Sequence, residues 1–165
     1  MKRIFVLTLF LLILSTFSAF AQNGKSIYQK YSDAENVTAV YVSPAMFRLI
    51  GKIPDLDVND GSIDLSPLIR SLTGMYILNS ENPVINGNLR ADVERFIGTG
   101  SYELLMEAKN DGETVRMYTV GSDKVINGFV MLAAEEGEVT FICLDGQMPR
   151  DKVEALVVEQ MSRNK

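Results

Sequence analysis

The chain has no histidine and no tryptophan, and a single cysteine among 165 residues. Without histidine there can be no Ser-His-Asp triad, no Cys-His pair and almost none of the known catalytic zinc sites. G-x-S-x-G is also missing, which removes one usual setting for a serine nucleophile. Cys143 alone cannot form an internal disulfide, even in a compartment that would allow one. It sits in "VTFICLDG", an apolar strand-like run, where burial raises a thiol's pKa and leaves it inert. There is no basic run, and 16 Lys and Arg are outnumbered by 21 Asp and Glu, for a net charge of −5. Nucleic acid and anionic membrane surfaces are therefore poor partners, since both are held through clustered positive charge. No apolar stretch reaches the roughly 20 residues that a spanning helix needs.

The N-terminus has a pattern of its own. Lys2 and Arg3 precede the apolar run from Ile4 to Leu14, and "SAFAQ" follows, with Ala19 and Ala21 in an A-x-A arrangement. This predicts a secretory signal peptide over residues 1–21, cut between Ala21 and Gln22. Residues 22–165 then form a single domain, long enough to bury roughly 68–70% of its unfolded surface without disulfides. No cysteine lies near the cut, so neither a lipid tether nor another stable membrane anchor is expected. The expected location is periplasmic or secreted.

The domain reads as α+β with one shared core. "NGKSIYQKYSD" predicts a short helix or ordered arm, and Val37 to Ser43 a β-branched strand. In "SPAMFRLIG", Ser43 and Pro44 start a helix, with Met46 and Ile50 on one face. "LSPLIRSL" repeats that start, "GMYILNS" predicts a second strand, and "ENPVINGN" a loop. In "NLRADVERFIG", Leu89, Val93, Phe96 and Ile97 follow helical spacing, with Gly98 as the stop. Four strands follow as an antiparallel meander, Tyr102–Lys109, Glu113–Val120, Lys124–Ala134 and Glu138–Asp145, joined by "NDG", "GSD" and "EEG" turns. Alternation in the first gives one buried and one wetter face, while "GFVMLAA" and "VTFICL" are apolar on both faces and belong at the centre. "PRDKVEALVVEQM" closes the chain as an amphipathic helix burying Val153, Leu156, Val157 and Met161.

One loop has the look of a metal site. In "DLDVNDGSID", Asp55, Asp57 and Asn59 sit two apart and, with Asp60, are candidate calcium ligands. An EF-hand loop also needs Gly at its sixth position and a bidentate Glu at its twelfth, where this chain has Asp60 and Ser66. Only weak binding, at about 0.1–1 mM, fits such a loop, and a solvated turn-rich segment is the better reading. Among acids, Glu103 and Glu107 share a strand face in regular alternation, but four residues span about 13 Å, beyond the 5–9.5 Å of glycosidase pairs. "GTGSYE" runs from helix to strand, the reverse of a phosphate loop. The methionines outside the leader read as core filler, or alternatively as a plastic binding face.

"VTAVYVSPAMFRLI", "MYILNSE", "SYELLMEAKNDGETVRMYTV" and "GFVMLAAEEGEVTFICLDGQM" together resemble the family called domain of unknown function 4252, from about Ile27 to Val158. The resemblance implies a small exported protein of a kind typical of Bacteroidetes, and it brings no catalytic residue and no cofactor. With no catalytic constellation in the residues, the expectation is a non-enzymatic envelope protein that binds a partner protein or small ligand. Two alternatives stand beside it: a hydrolase or transferase using carboxylates assembled by the fold, and a weakly calcium-stabilised module.

Overall fold

The computed structural model describes residues 23–50 and 66–155. Ala19, Ala21 and Gln22, the loop carrying Asp55, Asp57, Asn59 and Asp60, and Leu156, Val157 and Met161 lie outside the described residues.

Helix α1 (Gly24–Tyr31) starts at Asn23, whose side chain accepts from the Ser26 amide at 2.8 Å while the Ser26 hydroxyl accepts from the Asn23 amide at 3.0 Å. This reciprocal cap satisfies two amides that a helix start leaves open. Strand β1 (Val37–Val42) leads into α2 (Pro44–Ile50), where the Ser43 hydroxyl accepts from the Met46 amide at 3.3 Å. Phe47, not Met46, is the side chain α2 buries. Helix α3 (Ser66–Ser71) runs straight into β2 (Leu72–Ser80).

Helix α4 (Pro83–Thr99) begins five residues before "NLRADVERFIG". The stretch read as a loop is its first turn: Asn82 accepts from the Val84 amide at 2.9 Å and Pro83 takes the first helical position, where its missing N–H costs nothing. Gly87 and Gly98 are exposed positions within the helix, which closes on Gly100.

Strands β3 (Glu103–Asn110), β4 (Glu113–Gly121), β5 (Val125–Glu135) and β6 (Glu138–Pro149) form the meander, and α5 starts at 150 and is helical through 155. The meander is two-thirds of a larger sheet. β6 pairs with β2 and β2 with β1, giving six antiparallel strands in the order β1-β2-β6-β5-β4-β3. β5 and β6 take the two inner positions, as their two-sided apolarity requires.

Helices α1 and α4 cover one face. Ile27 and Tyr31 of α1 and Leu89, Val93, Phe96 and Ile97 of α4 pack with Tyr76, Leu78, Val130, Leu132, Val139, Phe141 and Cys143 of the sheet. Asp92, on the apolar side of α4, ties the helices together. Its carboxylate accepts from Lys30 at 2.5 Å, from the Tyr31 hydroxyl at 2.8 Å and from Arg95 at 2.8 Å. Burial alone would raise this carboxyl's pKa, but the bonds from Lys30 and Tyr31, with Arg95, outweigh it and hold the group below its ordinary range.

Candidate interaction surface

The two faces of the sheet differ in exposure although both are apolar. Along β6, Val139, Phe141 and Cys143 are buried, while the intervening Thr140, Ile142 and Leu144 keep partial exposure. The same holds for β2, with Tyr76 and Leu78 buried against Met75 and Ile77 half-exposed, and for β5, with Val130 and Leu132 buried against Phe129, Met131 and Ala133. Successive strand residues point to opposite faces, so the half-exposed set is the face turned away from α1 and α4.

The strand registers line these residues up. Val40 lies opposite Ile77, Ile77 opposite Ile142, Ile142 opposite Met131, Met131 opposite Met117, and Met117 opposite Met106. An unbroken apolar row thus crosses all six strands, about 24 Å at the usual strand spacing. Its ends are open, with Val40 42% and Met106 46% exposed. The next row, Thr38, Asn79, Thr140, Ala133, Val115 and Ala108, consists of small side chains. Two residues further along β4, β5 and β6 come Glu113, Glu135 and Glu138, which with Ala133 and Thr140 line a shallow depression of about 100 Å³. Repulsion from Glu138, then some loss of solvation and Glu113, raises the pKa of the exposed Glu135 carboxyl.

Toward the other end of the face, the start of α5 flanks the sheet. A groove of about 300 Å³ there is lined by Leu105, Thr119, Ile126, Phe129, Arg150, Val153 and Glu154. Val153, expected to bury against the sheet, keeps partial exposure and lines this groove.

Strand β3 departs from its sequence pattern. Expected to alternate between a buried and a wetter face, it is exposed at every residue, including Leu104, Leu105 and Met106. It is the outermost strand, and its register slips between Leu104 and Met106. Leu105 is the extra residue of a β-bulge, which reverses the alternation beyond it. Glu103 therefore lies opposite Thr119 and Glu107 opposite Arg116, three residues apart on β4 and so on opposite faces. Glu107 accepts from Arg116 at 2.6 Å, and Arg116 also reaches Glu94 of α4 at 3.5 Å. Glu103 and Glu107 do not form a pair.

The buried polar groups are structural. Cys143 is fully buried, and burial first, with the neighbouring Asp145 charge second, pushes its thiol far up, as the apolar run predicted. The thiol donates to Asp145 at 3.6 Å. Burial also raises the pKa of the Asp145 carboxyl and pushes the Tyr76 hydroxyl up to about 12. Tyr41 stacks on Tyr76 at 5.2 Å and Tyr28 packs against Tyr76 at 5.8 Å. Among the described residues, no group of three or more acids or cysteines is placed to hold a metal ion, and no helix is long and apolar enough to cross a membrane.

The apolar row and the three glutamates were not singled out from the sequence. Apolar residues at both parities of "GFVMLAA" and "VTFICL" were the available signal, but which of them line up depends on register. The glutamates flank two hairpin turns, and only pairing places Glu113 beside Glu135 and Glu138.

The sequence pattern of the family described as domain of unknown function 4252 matches residues 31–156. No curated protein and no solved structure matches the chain.

Proposed function

Because the chain belongs to the domain of unknown function 4252 family, whose description specifies no chemistry, we propose from its own surface that it is a non-enzymatic interaction module. It works outside the cytoplasm, as its leader-like N-terminus supports, and engages a partner with the sheet face turned away from α1 and α4. The observation that carries this reading is the row from Val40 to Met106, apolar on every strand and partly exposed throughout. The solvated face of an antiparallel sheet is normally polar, so an apolar row there stands out, and exposed apolar patches rimmed by polar residues mark binding sites. Three of the six side chains in the row are apolar or thioether groups of high adaptability, Met106, Met117 and Met131, suited to a surface that moulds to its partner.

The test is capture from the protein's own cell envelope by wild type, Met117→Lys on the row, and Arg90→Glu on the helix-covered side. A saturable partner kept by wild type and Arg90→Glu but lost by Met117→Lys, with all three chains melting within a few degrees, is the expected result. Equal retention by Met117→Lys would sink the reading. A second reading, a hydrolase or transferase working through fold-assembled carboxylates, draws on Glu113, Glu135 and Glu138. It predicts hydrolysis of a model ester or glycoside that disappears in Glu135→Gln.

A further inference from the structure

We propose that the segment seated on this face is an amphipathic stretch of another protein, with an apolar stripe and Lys or Arg beside it. The inference rests on the interaction reading above and names the chemistry of its partner. The apolar half follows from the row through Ile142 and Met131. The small-residue row beside it lowers the surface, so a docked backbone can come close to the sheet there. The basic half follows from what lies beyond that row. Glu113, Glu135 and Glu138 continue the same face, and none of them is in an ion pair with a described Lys or Arg. No Lys or Arg occupies a strand position on this side; Arg116 faces the helices, held by Glu107 and Glu94.

Three unpaired carboxylates at one margin of an apolar face repel each other, and a cation placed over them turns that repulsion into attraction. A second copy of this chain is a poorer occupant. It is acidic overall, at −5, and presents the same uncompensated margin.

The probes are two synthetic helical peptides of about 15 residues, long enough to hold some helix in water. They share a leucine stripe and differ only in a polar side made wholly of Lys or wholly of Glu. Binding to the full chain is followed by fluorescence anisotropy. The Lys peptide is expected to bind about tenfold or more tighter than the Glu peptide at low salt, with the gap shrinking at high salt. The combined Glu113→Gln, Glu135→Gln and Glu138→Gln variant should bring the two peptides to within about twofold of each other. A gap that survives the triple variant overturns the proposal while leaving the face intact. Binding of both peptides that ignores Met117→Lys instead overturns the interaction reading. Sedimentation as a dimer that Met117→Lys dissociates, with no peptide bound, overturns the proposal in favour of a second copy.

Discussion

Phe141 and Ile142 are neighbours on β6 and test whether the sheet has one core or two. Phe141 is fully buried beneath α1 and α4. Phe141→Ala leaves a ring-sized void in a close-packed layer and should cost about 3–5 kcal/mol. Ile142 points to the other side and keeps partial exposure. Ile142→Ala removes three carbons at about 0.8 kcal/mol each if fully buried, near 2.4 kcal/mol in all. With part of that surface already in water and no closed cavity left behind, about 1–1.5 kcal/mol remains. The two variants should thus differ by about 1.5–4 kcal/mol, read from urea unfolding with unchanged slopes. At roughly 2–4 °C per kcal/mol, Phe141→Ala should also melt several degrees lower. If Ile142→Ala is as damaging as Phe141→Ala, the face is sealed, and the case for an interaction surface fails with it.

Asp92→Ala leaves the Tyr31 hydroxyl, on a residue only 4% exposed, without its acceptor and should cost about 2–4 kcal/mol. Adding Tyr31→Phe should recover part of that loss, and a double variant no more stable than Asp92→Ala would contradict the clamp. Since the Asp92 carboxyl is held below its unfolded value, its contribution is complete above about pH 4 and fades as pH falls through the lower folded value. Acid titration of unfolding should therefore bring wild type and Asp92→Ala together at low pH, and a constant difference would refute the linkage. Gly24→Ala builds a Cβ into Cys143 and should destabilise by about 1–3 kcal/mol, whereas Gly87→Ala, with open space around it, should be neutral or stabilising; equal melting of the two would be evidence against this packing. Leu105→Lys on the exposed edge strand should leave stability within about 0.5 kcal/mol while reducing self-association at high concentration, and a loss well above that would show that α5 seats firmly on Leu105.

Most elements could be read from local chemistry. Ser43 and Pro44 start α2 as their types imply, and Leu89, Val93, Phe96 and Ile97 form the buried stripe of α4. The start of α4 was misplaced because Asn-Pro followed by Gly87 reads as turn chemistry as readily as a cap with a first-position proline. The meander followed from its turn residues, because hairpins join sequence neighbours. The pairing of β2 with β6 has no such signature. Its strands are far apart in sequence, and their union is driven by burial that either could have satisfied elsewhere. The bulge at Leu105 was hidden for a similar reason. "ELLMEA" alternates well enough on paper, and only its register with β4 shows one residue too many.

That bulge also shapes the surface. Without it, Leu104 and Met106 would share a face and Leu105 would turn toward the helices. With it, Leu104 faces the same side as Glu107, and Met106 joins Met117 and Met131 in the row while Leu105 lines the groove beside α5. Relative to a regular strand, the inserted residue brings Leu105 to the face left open by α1 and α4 and turns Leu104 to the other side. A chain selected only to close its core has no use for such a shift at an exposed edge, where charge is the ordinary protection against unwanted pairing. Glu103, Glu107 and Lys109 supply that protection along the backbone of β3. Of its apolar side chains, Leu105 and Met106 are instead aimed at the open face, which is where a partner with an apolar stripe would meet them.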